Sequence, residues 1–444
     1  MNKAVQLEEN CYKVDLNEAP KLKVFTQRQL DKIPQFMRLP EAARKGVEVA
    51  ALVFPFRVNE YVVNQLIDWD DWENCAIFRL TFPQKAMLLD DDFIALEKAY
   101  DEGDKESMKA HIERIREGLN PHPAGQMELN VPFHDGEPVE GIQHKYEQTV
   151  LFFPTQGQTC HSYCTFCFRW AQFVGDKDLK FASKEINQLV EYLKSHKEVT
   201  DVLFTGGDPM IMKTKALKSY LEAMLDPELD HIKTIRIGTK ALTFWPYRFL
   251  TDDDSAELLQ LLEDVVKAGK HIAIMAHYNH WKELTTDVAK EAIRQVRATG
   301  AEIRSQGPLL KGINDDADVW AKMWKAQVAL GIIPYYMFVE RDTGAHHYFE
   351  VPLVKAWNIY REAQKQVSGV CRTARGPSMS ASPGKVEVQG VTEINGEKVF
   401  AMRFIQGRDP DWIQRPFFAE YDEKAGWLDH LKPAFGEEKF FFEK

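Results

Sequence analysis

Short apolar runs alternate with amphipathic segments along the chain from about residue 149 onward. The runs lie at 149–154, 199–204, 232–238, 271–278, 301–306 and 331–339. They are too apolar to leave one face in water, which is typical of strands in a parallel sheet covered by helices on both faces. The alternation therefore predicts six β/α units.

The helical segments between the runs are illustrated by residues 255–269, which read SAELLQLLEDVVKAG. Their apolar side chains share one face at helical spacing: Leu258, Leu259, Leu262, Val265 and Val266. Thr251 with Asp254 resembles a capping box, and Gly269 stands where the helix should end. Such units close naturally into an α/β fold of the partial (β/α)6 barrel type, whose chemistry collects at the carboxyl ends of the strands.

The chain divides into three predicted parts. Residues 1–145 are mainly helical, as in KESMKAHIERIREGL, and end in a Pro/Gly-rich linker. Residues 146–349 contain the barrel. Residues 350–444 begin with a helical pattern and continue as a β-like, aromatic segment.

Composition narrows the class of protein. With 44% hydrophobic residues among 444, the chain can bury one large core with smaller lobes. A formal net charge of -11 argues against a general nucleic-acid-binding surface. The first 15 residues have no apolar signal-peptide core, no run suggests a membrane span, and six cysteines are too few for a disulfide framework. We therefore expect a soluble cytoplasmic enzyme.

Three cysteines, Cys160, Cys164 and Cys167, form a CxxxCxxC pattern directly after the first predicted strand. The others are scattered singly: Cys11, Cys75 and Cys371. Three buried thiols can be simple small hydrophobes, but three thiolates on a metal cluster leave one coordination site open. The spacing resembles that of radical S-adenosylmethionine enzymes. The resemblance implies a [4Fe–4S] cluster whose fourth iron is chelated by the methionyl amine and carboxylate of S-adenosylmethionine.

The second predicted strand ends in TGGDPM, which contains Gly206, Gly207 and Asp208. Two glycines at a strand end can be a tight turn. Their place one β/α unit after the cysteine loop matches the position where radical S-adenosylmethionine enzymes bind the methionyl ammonium. Glycine there permits the close approach of a ligand.

Further motifs narrow the resemblance to the lysine 2,3-aminomutase family. They are GIQHKY, CFR, IRIGTKALTFWPYRF, HYNH, LLKGINDD, PYYMF, and VSG followed by the lysine of SPGK, in family order from about residue 50 to 400. The resemblance implies two coupled cofactors. A 5′-deoxyadenosyl radical removes a β-hydrogen, and pyridoxal phosphate holds the migrating nitrogen of the amino acid as an imine.

Lys385 matches the family lysine that forms the resting imine with pyridoxal phosphate. Taken alone, it could equally be a solvated surface lysine. The glycine-rich loop that precedes the lysine in the family is replaced here by Ser380, Ala381, Ser382, Pro383 and Gly384.

The phosphate-binding residues also depart from the family. The family carries two arginines where this chain has Lys145 and Thr149, and threonine cannot replace a bidentate arginine. Arg248 matches a family arginine of this region, and Arg372 or Arg375 could compensate. Tyr146 matches a residue expected to pack on the cofactor ring.

The substrate-binding residues are implied by three further matches. Arg169 matches the arginine that clamps the substrate carboxylate, and its alternative is a surface arginine. Asp315 matches one of two aspartates that hold the far ammonium of lysine, and its alternative is a helix N-cap. The second family aspartate falls on Arg341, with Asp342 next to it. We expect lysine to be the best substrate if Asp342 faces inward and poor if Arg341 does, with a slight preference for lysine.

His277 and Gln306 match family contacts to S-adenosylmethionine, although either could be a satisfied polar group under a loop. The family's structural zinc site needs cysteines that this chain lacks, so we expect no zinc.

The sequence leaves three functions open. The first is a pyridoxal phosphate-dependent amino-acid 2,3-aminomutase, which would need an electron donor such as flavodoxin or ferredoxin and, like the family, would tend to oligomerise. The second is a radical S-adenosylmethionine enzyme without pyridoxal phosphate that acts on another substrate. The third is a non-catalytic iron–sulfur protein. We expect no nucleic-acid or membrane partner.

Overall fold

The computed structural model describes residues 19–125, 129–174 and 186–443; Cys11 lies outside them. The helices of this part of the chain are α1 Pro34–Met37, α2 Glu41–Val53, α3 Ala76–Thr81, α4 Asp90–Glu102, α5 Lys105–Gly118, α6 Ile186–Ser195, α7 Thr214–Ala223, α8 Ala241–Phe244, α9 Ser255–Lys267, α10 Asp287–Ala298, α11 Ala317–Ala329, α12 His346–Phe349 and α13 Leu353–Lys365. Short 3-10 turns connect many of them.

The strands form one large sheet and two small hairpins. The hairpins pair β1 Val24–Thr26 with β2 Arg57–Asn59, and β3 Phe133–His134 with β4 Glu137–Pro138. The large sheet contains β5 Ile142–Tyr146, β6 Thr149–Phe152, β7 Asp201–Phe204, β8 Thr234–Thr239, β9 His271–His277, β10 Glu302–Leu309, β11 Ile333–Val339, β12 Arg375–Ser380, β13 Gly384–Ile394, β14 Glu397–Gly407 and β15 Pro416–Glu420. Each strand in this sheet pairs with the next one along the chain.

The predicted barrel strands are confirmed as β6 to β11. They pair in parallel and alternate with helices that cover the outer face, as in an open, partial barrel. Strand β10 runs three residues beyond the predicted end at Gln306, because a bulge at Ser305/Gln306 lets Pro308 stay in register with Phe338.

The sheet continues into the C-terminal part. Strand β12 adds a seventh parallel strand, and β13, β14 and β15 follow in antiparallel order. Ser380 and Lys385 face each other across a tight hairpin whose turn is residues 381–384. Lys385 therefore lies on a strand held on both sides, since it also pairs with Gln406.

Helix α9 begins and ends close to the predicted positions, but its start differs in detail. Asp254 is the N-cap residue, yet its carboxylate accepts hydrogen bonds from Thr214 N at 2.6 Å and Arg248 Nη1 at 2.9 Å. The expected capping box with Thr251 is absent because these longer-range donors occupy the Asp254 oxygens. Gly269 follows the helix with φ 92°, as its predicted stop requires.

The N-terminal helices build a second apolar cluster that packs against the cysteine loop. The Asn59 side-chain amide donates to Phe244 O at 2.7 Å and Ser162 Oγ at 3.0 Å, and Tyr163 N donates to Arg57 O at 2.8 Å. Strand β2 thus fixes the backbone on which the three cysteines stand.

None of the helices in the described ranges is long and apolar enough to cross a bilayer.

Candidate active site

A cavity of about 270 Å³ opens inside the barrel. It brings together five predicted site residues: Tyr146, Arg169, His277, Gln306 and Lys385. Its other charged or polar wall residues include Lys145, Thr149, Arg236, Glu340 and Arg341. Residues that are more than 200 positions apart in the chain therefore share one enclosed space.

Lys385 lies at the wall of this cavity with its amine against aromatic rings. Its Nζ is 4.2 Å from the centre of the Tyr336 ring and 5.5 Å from that of Phe338. Burial, and then the nearby charges of Arg236 and Arg375, hold the pKa of Lys385 well below its usual range. A lowered pKa favours the neutral amine, which is the nucleophilic form of a lysine.

Lys145 lies on β5 and ties the cavity wall to the hairpin. Its Nζ donates a hydrogen bond to Ala381 O, and it lies 5.5 Å from the ring centre of Tyr146. Burial, followed by the charges of Arg341 and Arg408, lowers the pKa of Lys145 to about 7. Lys145, one of the two residues that depart from the family, therefore contacts the altered loop before Lys385 directly.

Thr149, the other departure, takes part in a charged group of three residues. Its Oγ1 donates to Asp201 Oδ2 at 3.2 Å, while Arg236 holds the same carboxylate through Nε at 2.8 Å and Nη2 at 2.5 Å. Sequence analysis assigned no role to Arg236. The signal was present, because Arg236 breaks the apolar run of β8 at a position that faces the barrel interior.

Arg169 is 6% exposed and has unused donors. Its guanidinium carbon lies 4.1 Å from the centre of the Phe153 ring, and neither Nε nor Nη2 has an acceptor among the residues that the structure describes. Burial lowers the pKa of Arg169 to about 9, so it remains charged at pH 7. A buried cation with free donors favours an anionic ligand.

Arg341, and not Asp342, faces the cavity. Arg341 Nη2 donates to Ser380 O at 3.2 Å, and its guanidinium carbon lies 4.6 Å from the Phe168 ring centre. Asp342 accepts from Asn120 Nδ2 at 3.3 Å and is absent from the cavity wall. This orientation removes the basis for the slight preference for lysine stated above.

Glu340 is a cavity residue that sequence analysis missed. It is buried, and burial raises the pKa of its carboxyl well above the usual range although Arg341 opposes the shift. A carboxyl group next to an arginine in the sequence gave no signal that it would be buried.

His277 and Gln306 join at the ends of their two neighbouring strands. The His277 Nε2 and Gln306 Nε2 atoms are 2.8 Å apart, while Lys240 Nζ donates to His277 O at 3.2 Å and Glu283 Oε1 at 2.6 Å. Burial lowers the pKa of His277 to about 3, which makes it a neutral imidazole. Both side chains are thus polar, uncharged and exposed to the cavity.

The cysteine loop follows β6 and a short turn at Thr155–Gly157. Burial raises the pKa of Cys160, Cys164 and Cys167, in the last case to about 11, so an electropositive metal centre is needed to hold them as thiolates. Within the described ranges, no three Cys, His, Asp or Glu side chains converge on a single-ion site. The three thiols fit a cluster instead, in which each thiolate binds a different iron.

The glycines of TGGDPM pack against the residue before Cys160. A Cβ on Gly207 would lie 2.5 Å from Thr159 O and 2.6 Å from Thr159 N, so no larger residue fits. Asp208 accepts from Thr239 Oγ1 at 2.6 Å and Lys240 N at 2.9 Å, and burial raises its pKa to about 6. Gly206, Gly207 and Asp208 thus shape the cysteine loop, while their predicted contact with S-adenosylmethionine stays a prediction.

Besides the three cysteines and the residues of TGGDPM, two further predicted site residues lie away from the cavity wall. Asp315 Oδ2 pairs with Lys355 Nζ at 2.7 Å, and its Oδ1 accepts from Gly312 N at 2.8 Å. Arg248 is buried and gives its donors to Met210 O, Met212 O, Thr214 Oγ1 and Asp254. Both side chains therefore stabilise the fold through these contacts.

Known proteins are similar to this chain in sequence. A protein of Aquifex aeolicus (strain VF5), provisionally named L-lysine 2,3-aminomutase, is 30% identical over 391 residues, which are 88% of this chain and 91% of that protein. The L-lysine 2,3-aminomutase of Acetoanaerobium sticklandii is 30% identical over 243 residues, 54% of this chain and 55% of that enzyme. No family model matches the chain.

Solved structures resemble the chain only weakly. A radical SAM methyltransferase from Sphaerobacter thermophilus has a TM-score of 0.37 at 12% identity, covering 64% of this chain and 92% of that one. Similarity at this level does not bear on function.

A partial barrel with a three-cysteine loop after its first parallel strand defines the radical S-adenosylmethionine class. Within that class, the extent of the match to the Aquifex protein shows that the chain belongs to the lysine 2,3-aminomutase family.

Replacing Cys160, Cys164 or Cys167 by alanine should abolish the iron–sulfur absorbance of the anaerobically reconstituted protein, because each thiolate holds one iron. Cys75→Ala and Cys371→Ala are the matched controls, since both are buried cysteines elsewhere in the fold. A Cys164→Ala protein that kept a wild-type iron content would contradict the assignment.

Arg248→Met should lower the free energy of unfolding by about 3 kcal/mol, because the half-buried Asp254 and two carbonyls lose their donor. The shift in denaturant midpoint measures this, with Arg304→Met as the control. Pyridoxal phosphate affinity should not change. Weaker cofactor binding at wild-type stability would instead restore a cofactor role for Arg248.

Proposed function

We propose that the protein is an amino-acid 2,3-aminomutase that uses a [4Fe–4S] cluster, S-adenosylmethionine and pyridoxal phosphate. The observation that carries the proposal is that Lys385 and Arg169 face the same closed cavity, and that Arg169 stands two residues after the last cysteine of the loop. A nucleophilic amine and an unpaired carboxylate-binding cation are the two groups that an aldehyde cofactor and an α-amino acid need.

The cofactors, when bound, supply a carbon radical that removes a hydrogen atom and a conjugated ring that lets nitrogen move between adjacent carbons. The protein's own residues do the rest. Cys160, Cys164 and Cys167 hold the cluster, and Lys385 holds the aldehyde carbon of pyridoxal phosphate. Arg169 binds the substrate carboxylate through Nε and Nη2.

The cavity wall orients the proposed cofactors and excludes water from them. Tyr146 offers a ring face for an aromatic cofactor, and the wall also carries apolar side chains: Leu151, Phe153, Leu203 and Phe338. Such a wall keeps bulk water away from a reactive radical. His277 and Gln306, both uncharged, are the proposed hydrogen-bonding contacts to S-adenosylmethionine.

The side-chain end of the site favours a substrate other than lysine. Arg341 stands at the wall where two aspartates would be needed for an ammonium, and two unit charges of like sign 4 Å apart repel by about 4 kcal/mol at an effective dielectric of 20. Burial raises the pKa of the neighbouring Glu340 and so favours its neutral form, which weakens any compensation of this repulsion. The proposed substrate therefore has an acidic or uncharged polar side chain.

The proposal includes a one-electron donor such as flavodoxin or ferredoxin to reduce the cluster. A radical enzyme without pyridoxal phosphate is the rival that the departures at Lys145 and Thr149 favour, and the next experiment separates the two.

Borohydride reduction of the protein with pyridoxal phosphate should attach the pyridoxyl group to Lys385, because its amine lies in the cavity and burial lowers its pKa. Peptide mapping by mass spectrometry locates the label. Lys385→Ala should carry none, whereas Lys398→Ala, on the neighbouring β14, should be labelled as in the wild type. A label on Lys145, or none in the wild type, would remove Lys385 from the mechanism.

Glutamate should be converted to its β-isomer with a kcat/KM at least tenfold above that of lysine, since Arg341 attracts the first side chain and repels the second. Arg341→Ala should lower the glutamate value by tenfold or more and leave lysine unchanged or faster. Arg361→Ala, an exposed arginine on α13, is the control. Faster turnover of lysine than glutamate by the wild type would overturn the proposed selectivity.

A further inference from the structure

Thr149, Asp201 and Arg236 stand on three successive parallel strands beside Lys385. Asp201 fixes two of the guanidinium nitrogens of Arg236. In the ranges that the structure covers, Asp201 is the acceptor of Arg236, whose side chain lines the cavity. The guanidinium is therefore held in one orientation with donors left over for a ligand.

The cations around Lys385 form a site for an anion. The charges of Arg236, Arg375, Lys145 and Arg341 all act on the Lys385 amine and lower its pKa. Asp201 offsets only one of them. An anion beside Lys385 would reduce the repulsion among these cations, which is how protein cavities commonly bind phosphate.

Three other arginines of this region already form hydrogen bonds or stacking contacts elsewhere in the fold. Arg248 is buried against carbonyl groups, and Arg372 donates to Gln364 O and Val367 O at 3.0 and 3.1 Å. Arg375 stacks on Tyr335 and Tyr336 at 4.6 and 4.3 Å and is absent from the cavity wall.

We propose that Arg236, oriented by Asp201, donates hydrogen bonds to the phosphate of pyridoxal phosphate and so supplies the guanidinium that position 149 lacks in this chain. Lys145 adds a point charge at the same site. Asp201 is a positioning residue, and Thr149 caps its second oxygen. The inference rests on the proposed function, because it assumes that pyridoxal phosphate binds at Lys385.

The test compares pyridoxal phosphate with pyridoxal, which has the aldehyde but no phosphate. Dissociation constants are measured by absorbance titration of the cluster-reconstituted protein stripped of pyridoxal phosphate. The variants are Arg236→Gln and, to avoid leaving Asp201 without a partner, the double variant Arg236→Gln with Asp201→Asn. Arg304→Gln is the matched control, because Arg304 is also a strand arginine paired with a carboxylate but lies off the cavity wall.

The wild type and Arg304→Gln should bind pyridoxal phosphate at least tenfold more tightly than pyridoxal. Both Arg236 variants should lose at least tenfold in affinity for pyridoxal phosphate and less than twofold for pyridoxal. Inorganic phosphate should compete with pyridoxal phosphate in the wild type and much less in the variants.

Three outcomes would overturn the inference in distinguishable ways. An equal loss for both ligands would mean that Arg236 supports the fold and not the phosphate. Unchanged affinities in the double variant would place the phosphate elsewhere in the cavity. A wild type that binds neither ligand would remove the cofactor itself, and with it this inference and the pyridoxal part of the proposed function.

Discussion

The site depends on the desolvation of cations inside the barrel. Taking an arginine or lysine out of water is unfavourable unless a partner replaces the lost hydration. Among the residues that the structure describes, Arg169 has no acceptor for Nε and Nη2, and burial lowers the pKa of Lys385, which favours its uncharged form. The carboxylate and phosphate groups of the proposed ligands would replace part of the hydration that these cations lose.

Distant segments of the chain together build the site. The N-terminal lobe supplies Asn59, which ties the cysteine loop to Phe244, and the C-terminal hairpin supplies Lys385. Lys145 joins the hairpin to the first antiparallel strand of the sheet. The barrel alone would present its strand ends without the loop geometry or the amine that the proposed chemistry uses.

Much of this architecture could be predicted from the sequence. The six barrel strands could be located because each is a mainly apolar run, although Arg236 interrupts β8 and Arg304 interrupts β10. Residues at strand ends, such as His277 and Gln306, could be placed together because parallel strands end at one edge. Motifs shared with the lysine 2,3-aminomutase family predicted that Lys385 and Arg169 lie in the same site.

Other residues could not be placed, because their roles depend on three-dimensional neighbours. Arg248 lies in a family motif, yet its donors meet carbonyl groups that only the folded chain brings near. The sequence of Asp315 was equally compatible with a helix N-cap, and in the structure its carboxylate forms a salt bridge with Lys355 on α13. Arg341 and Asp342 are neighbours after β11, so the sequence alone does not say which of them faces the cavity. Asn120, from the N-terminal part of the chain, donates a hydrogen bond to Asp342 and holds it away from the cavity.

The hairpin that carries Lys385 also sets an order of assembly. The cysteine loop has its main partners once the chain has been made to about Phe349, because Asn59 and Phe244 come earlier and Phe166 of the loop packs edge-on against Phe349. Lys385 reaches its final place only after Gln406 has been synthesised and paired with it. On the ribosome, where segments fold as they emerge, the half of the site that holds iron therefore matures before the half that holds the aldehyde.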